Sequence, residues 1–237
     1  MLYSPLEQFT VSGFGFGLSN FAVSIFVLVA MLVLMHAPAL HPSLVPGRWA
    51  LLVEGSVTTL QSVAQGSLGS VHTSLLPLVY SLFWVVLGGN LLGNVPYSYA
   101  LTTSLSADLG LSAGVWLTSL LLGATVHRTQ YVAYFAPSGT PLVLLPLLGL
   151  IELISFVARA VSLGVREFAN IVAGHTLLAI ATSFIAPILV SVYAPIGILF
   201  LPLIGALIGL ELAVAIIQAY VLTVLTCSYL RDALELH

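Results

Sequence analysis

An all-α integral membrane protein is the fold class this sequence predicts, with five or six helices, the last two far longer than a membrane is thick. Three observations carry that expectation. Of 237 residues, 59% are hydrophobic and only 5% are charged, against about 25% charged in an ordinary soluble domain. Mean hydropathy is +1.15, and so few polar groups cannot cover the surface of a soluble globule. The apolar runs also exceed the roughly ten-residue alternating segments of a membrane barrel, whereas about 20 apolar residues span about 30 Å of hydrocarbon as a helix.

The whole chain, 1–237, is expected to form a single membrane domain. The run FAVSIFVLVAMLVLM makes a first spanning helix over 21–36, which Pro38 and Pro42 end by removing backbone donors. Residues 47–70, GRWALLVEGSVTTLQSVAQGSLGS, mix apolar residues with serine, threonine, glutamine and one glutamate. That is too polar to span, and the segment is predicted to lie as a helix near the membrane surface. A helical hairpin follows over 75–135, one arm from about Leu75 to Leu92 and the other from about Leu111 to Tyr134. Between the arms, GNVPYSYALTTSLSADLG reads as a loop with Tyr97 and Tyr99 suited to the interface. The last part, 141–230, holds two apolar segments, 141–187 and 195–230, turned at Pro187, Tyr193 and Pro195. As helices they extend about 70 and 54 Å. Neither fits upright in about 30 Å of hydrocarbon, so both must be steeply inclined, bent or broken.

Charge is sparse but ordered. The five basic residues are Arg48, Arg128, Arg159, Arg166 and Arg231, with no lysine, and the formal net charge is −3. This excludes a nucleic-acid surface and a polybasic lipid patch. Threading the helices puts Arg48, Arg128 and Arg231 on one face, which is the matrix or cytoplasmic side by the positive-inside rule, with Glu7 and Asp108 on the other. The N-terminus carries Glu7 and no arginine, unlike a mitochondrial presequence or the start of a secretory signal. The chain is therefore expected to be inserted where it is made, or to have lost a presequence. The single cysteine, Cys227, excludes an internal disulfide and reads as a small core residue.

Polar groups concentrate in ELISFVARAVSLGVREFANIVAGH, residues 152–175. With Glu152 at zero and about 100° per residue, Ser155 falls at about −60°, Arg159 at −20°, Ser162 at −80°, Arg166 at −40° and Asn170 at 0°. The result is a polar stripe on a rod that is otherwise apolar apart from Glu167. His175 lies about 180° from Arg166 and is expected to face a separate environment. A charge at membrane depth costs about 2.5–3.5 kcal/mol on insertion scales, so such groups pair with one another or line a wet path. For Arg159, pairing with Glu152 or with an acid elsewhere is as good a reading as a functional one; for Arg166, whose neighbours Ser162 and Asn170 are polar, such pairing is the lesser reading. The last helix repeats the theme with Glu211 and Gln218, about 20° apart on one face. An isolated glutamine reads first as a helix-to-helix hydrogen bond, an isolated glutamate as functional. His175 and Glu211 together offer a proton-exchanging pair, because histidine titrates near neutral pH.

The pattern of residues 152–175, followed about 36 residues later by ELAVAIIQAYV, resembles subunit a of the F-type ATP synthase in its mitochondrial form. SPLEQF at 4–9 and GNLLGNVPYSYALTTSLS at 89–106 carry the same resemblance. It implies the static half of a rotary proton turbine, in which the two long helices form an inclined hairpin against a ring of c subunits. Two offset half-channels would load and unload protons on the ring carboxylates. By resemblance Arg166 stands between the half-channels and pairs with a ring carboxylate. Asn170 matches a polar residue close to it, and Gln218 the glutamine facing it from the last helix. His175 and Glu211 match the pair lining the half-channel on the proton-rich side, and Glu152 an acid assigned to a proton path. No role is carried to Arg159 or Glu167, where the family is commonly uncharged. The implied partners are the c-ring, a peripheral stalk, other membrane-sector subunits and lipid. The implied location is the mitochondrial inner membrane, or alternatively a bacterial plasma membrane. No cofactor, no metal site and no catalytic site of the chain's own is expected.

The physics agrees with that scheme. A lone carboxylate cannot enter hydrocarbon cheaply, and a passing guanidinium can neutralise it. Arginine stays charged across the working pH range, so it guards rather than relays. Other readings are an ion channel or secondary transporter with an intramembrane arginine anchor, an intramembrane enzyme, and a purely structural subunit. The transporter reading predicts an internal repeat or broken half-helices, and no convincing repeat is present. A zinc protease would need H-E-x-x-H, which is absent. A serine hydrolase needs its G-x-S-x-G serine on a strand-to-helix elbow, and the one match, GLSAG at 110–114, opens a predicted apolar helix with no strand before it. His36, His41, His72 and His127 fall near helix ends or in the surface segment, where solvated or interfacial positions are expected, and His237 is terminal.

Overall fold

A computed structural model describes residues 13–14, 18–37, 47–68, 74–95, 99, 101–128, 144–190 and 199–234. SPLEQF, Pro38, His41, Pro42, His72, Tyr97, Tyr193, Pro195 and His237 lie outside them. Six α-helices run through the described residues: α1 (Asn20–His36), α2 (Arg48–Leu68), α3 (Leu76–Gly93), α4 (Leu105–His127), α5 (Leu145–Val190) and α6 (Leu201–Leu234). A two-residue antiparallel ladder, Gly13–Phe14 against Leu18–Ser19, precedes α1 and was not anticipated from the sequence. The chain is an all-α membrane protein. Helices α3 to α6 are long and apolar enough to cross a bilayer, whereas α1 is 17 residues and apolar. Helix α2 does not qualify as a span, as its composition predicts.

Three boundaries differ from expectation. Helix α4 starts at Leu105, inside the stretch read as a loop, and a 3-10 turn over Leu101–Thr103 leads into it. Asp108 therefore sits buried in its first turn, where a carboxylate complements the positive end of the helix dipole. The second change is at Pro187, which does not form the turn: α5 continues through it to Val190. Lacking an N–H, it forgoes a single bond to the Ser183 carbonyl one turn from the helix end, which is where that loss is smallest. Finally, α6 runs on to Leu234. At 46 and 34 residues, α5 and α6 extend about 69 and 51 Å, beyond any upright span.

Local chemistry explains most of the scattered polar residues. Ser19 caps α1 by accepting from the Ala22 N–H at 3.3 Å. Elsewhere serine and threonine hydroxyls donate to carbonyls one turn back, as Ser56 does to Val53, Ser112 to Leu109, Thr118 to Gly114 and Thr226 to Leu222. Satisfied in this way, they cross an apolar environment without needing a site.

The helices partition into two compact units that α3, α5 and α6 both enter. One unit is Met1–Pro46, Trp84–Ser104 and Glu167–Tyr220. There the Ser24 hydroxyl of α1 lies 2.9 Å from the Tyr99 carbonyl. The His36 ring meets Trp84 edge-on at 5.8 Å, so this histidine packs at the helix end and is not simply solvated.

The other unit is Gly47–Phe83, Leu105–Arg166 and Val221–His237. Its core joins Ala64 of α2, Val79 of α3, and Cys227 and Leu230 of α6. Val53, Leu60 and Ala64 are the buried stripe of α2, and Cys227 is fully buried as the sequence suggests. His127 differs from expectation: its Nε2 lies 2.9 Å from the Leu234 carbonyl, and in the Nε2–H tautomer it donates to a carbonyl of the last turn of α6. The bond brings the ends of α4 and α6 together, and with them the exposed Arg128 and Arg231. Threading had placed these two on one side.

Close packing of α5 on α4 in this unit depends on Gly164. A methyl added there would meet Ser112 Oγ at 2.7 Å and the Asp108 carbonyl oxygen at 2.9 Å. Exchanging glycine for alanine in a helix gains up to about 1 kcal/mol, but overpacking against backbone costs about 1–3 kcal/mol. Gly164→Ala is therefore expected to lower the unfolding temperature of the detergent-solubilised complex. A rise would show that α4 can withdraw.

Candidate functional site

In the unit containing Glu167–Tyr220, two polar contacts tie α5 to α6. The Asn170 Nδ2 donates to Gln218 Oε1 at 3.0 Å, and His175 Nδ1 lies 3.2 Å from Glu211 Oε1. The second contact has ion-pair distance without hydrogen-bond alignment. Glu211 and Gln218 are both buried, at 7% and 4% exposure. Both therefore carry the desolvation cost that intramembrane polar groups offset by pairing.

One expectation changes here. His175 does not look away toward separate surroundings, because it and Asn170 engage the same helix. The cause lies in the surface between them. Taking Asn170 as zero, Gly174 falls at about 40°, Ile171 at 100° and His175 at 140°. These four residues, at i, i+1, i+4 and i+5, form one packing face, with the two polar groups on its flanks. Ile171 is buried in its middle. Gly174 admits Glu211 so closely that a Cβ there would lie 3.2 Å from the Glu211 carboxyl. A larger residue there would require the Glu211 side chain to shift.

Glu167 occupies the same face and is only 1% exposed. The amide of Asn90, on α3, is its polar neighbour. Even so, Glu167 Oε1 and both Asn90 amide atoms make no hydrogen bond with any described group.

In the other unit, Arg159 lies between two acids. It pairs with Asp232 of α6 at 3.3 Å and with Glu152, two turns back on α5, at 3.8 Å. The Glu152 partnership is the one the sequence allows; Asp232 is the stronger contact and was missed. A small cavity beside it, of ≈ 10 Å³, is lined by Trp116, Ser119, Phe156, Arg159, Tyr229 and Asp232, which is room for about one water. Arg166 is exposed and makes no hydrogen bond or ion pair among the described residues. Ser162, one turn before Arg166, is exposed too, and Leu153, Ile154, Val157, Val161 and Val165 continue the strip as exposed apolar surface.

One unit thus holds a histidine–carboxyl pair and an amide pair; the other holds a carboxyl–guanidinium–carboxyl cluster and, in Arg166, a guanidinium with no hydrogen bond or ion pair among the described residues. The family model described as ATP synthase A chain matches residues 20–231. Among curated proteins, the chain is 41% identical over 251 residues to ATP synthase subunit a of Mycosarcoma maydis, covering 100% of this chain and 99% of that one. It is 38% identical over 253 residues to subunit a of Yarrowia lipolytica, covering 100% and 99%. To subunit a of the alga Chondrus crispus it is 36% identical over 250 residues, covering 100% and 98%. With nearly its full length matched by the family model and by these relatives, the chain belongs to the ATP synthase subunit a family.

Proposed function

We propose that this chain is the proton-conducting stator subunit of a rotary ATP synthase, set in the mitochondrial inner membrane against a c-ring and held by a peripheral stalk. The observation that carries the reading is the pair of α5–α6 contacts, His175 with Glu211 and Asn170 with Gln218. A bundle held by packing alone has no use for a histidine set 3.2 Å from a buried carboxyl. A proton path does, since each can take and release a proton. In this reading the pair loads protons from the proton-rich side, and Arg166 holds the two half-channels apart. The cluster of Glu152, Arg159 and Asp232 gives a polar exit. Each proton crossing releases about 2.3 kcal/mol per 100 mV, delivered as ring rotation. ATP chemistry then belongs to other subunits.

The open guanidinium fits this role. A side chain that must meet a succession of ring carboxylates is of no use locked to a partner of its own. A channel or secondary transporter, the other reading an intramembrane arginine permits, gains nothing from membership of this family. The two diverge in a cross-linking experiment. Ser162→Cys lies on the exposed strip one turn from Arg166, and the native Cys227 is buried. Oxidation is expected to link Ser162→Cys to a cysteine placed beside the ring carboxylate. An assembled complex giving no such link would remove the ring from this face.

A further inference from the structure

Glu167 has no part in the scheme above, and its surroundings give it one. Glu167 and Asn90 are each 1% exposed, and three polar atoms of this pair lack hydrogen-bond partners among the described residues. On α6, Gln218 Nε2 is also buried without a hydrogen-bond partner among the described residues. Leaving buried polar groups unpaired costs about 1–3 kcal/mol each, and internal water is what ordinarily satisfies such groups. Position adds a second argument. Measured from Glu167, Gly174 lies at about −20° on α5 and about 10 Å along the axis. Gly174 is where the Glu211 carboxyl packs. Asn170 and His175 fall at about −60° and +80°, so Glu167 sits centrally on the face bounded by the two α5–α6 contacts.

We infer that Glu167 is a further proton-exchanging carboxyl on the inlet path of this chain, joined to the His175–Glu211 pair by water held between Asn90, Gln218 and Glu167 itself. The inference rests on the proton-path reading. The step is a simple exchange: an O–H bond forms on the Glu167 carboxylate as one breaks on a protonated donor from the pair's side, and the reverse step passes the proton on. About 10 Å of separation along the helix needs only a short water chain. A packing role would call for apolar volume or a satisfied amide here, not a carboxyl with an unpaired oxygen.

The test uses the whole complex in liposomes, with ATP-driven proton pumping followed by a pH-sensitive dye. Glu167→Gln keeps the shape and hydrogen-bonding capacity but cannot exchange a proton. Pumping is expected to fall about tenfold or more at unchanged assembly, in keeping with the contribution of a positioned proton-transfer group. A smaller change overturns the inference. Should Glu167→Gln fail to assemble, Asn90→Leu leaves the carboxyl in place, removes the water's anchor, and is judged by the same threshold. His175→Ala, measured in parallel, separates the two claims. Pumping that survives His175→Ala defeats the proton-path reading itself. Loss in His175→Ala beside unaffected pumping in Glu167→Gln defeats only the role of Glu167.

Discussion

Arg166→Lys is expected to abolish proton-driven ATP synthesis while leaving the complex assembled, and Arg166→Ala to do the same with an added leak. Arg166 is exposed and makes no hydrogen bond or ion pair among the described residues, so neither change removes a described structural tie. On the function proposed above, what is lost is the partner of a ring carboxylate at membrane depth. An uncompensated charge there costs about 2.5–3.5 kcal/mol on the mildest scale, and each 1.36 kcal/mol is tenfold in rate, so turnover should fall by about 100-fold or more. Lysine restores a charge but not the same guard. Its ammonium is a single point that loses its proton readily when desolvated, whereas the guanidinium is delocalised and holds its charge. A lysine can therefore pass the proton it should repel. Alanine offers neither charge nor barrier, and passive proton conductance of reconstituted vesicles should rise. The decisive measurement is ATP synthesis under an imposed proton-motive force, normalised to assembled complex. Coupled synthesis near the wild-type rate in either variant would take Arg166 out of this role.

Legibility in the sequence followed the physics of each feature. Helix number and excess length could be read because they depend only on run length against a fixed hydrocarbon thickness. The pairs could be anticipated because an isolated intramembrane polar group must find a partner, and few candidates existed. Asp232 was missed because Arg231 beside it was read only as an orientation signal. The arithmetic used on α5 would have found it: from Gln218 to Asp232 is 14 residues, a net turn of about −40°, which extends the Glu211–Gln218 face to the helix end. Asn90 was hidden in an apolar helix, with nothing local to set it apart from Asn94. The shared packing face of Asn170 and His175 was lost for a different reason. Angles measured from Arg166 place His175 opposite, but the neighbouring helix packs at the angle of Gly174 and Ile171, and a single sequence does not say where a neighbour lies. Asp108 and Pro187 were misplaced because both are weak punctuation. An aspartate fits a first helical turn as well as a loop, and a proline near a helix end forfeits only one bond.

The His175–Glu211 contact carries the second large effect, and its signature is non-additivity. At 3.2 Å, with the glutamate side chain 8% exposed and the histidine 18%, each group is the other's compensation in a poorly solvated place. Removing His175 leaves the buried Glu211 carboxyl without its described ion-pair partner, which costs about 3–5 kcal/mol when the survivor stays charged. His175→Ala and Glu211→Ala should therefore each reduce proton flux severely. The double variant should be little worse than the worse single one, because no orphaned charge is left to penalise. The coupling energy from the cycle is expected within the 0.5–3 kcal/mol range, about that of groups in direct contact. Gly174 supplies an internal control. Gly174→Val keeps both titrating groups but fills the space 3.2 Å from the Glu211 carboxyl, and so should depress flux by spreading the pair apart. If the two alanine effects simply add, the groups work at separate steps, and their contact in the fold is packing without shared proton chemistry.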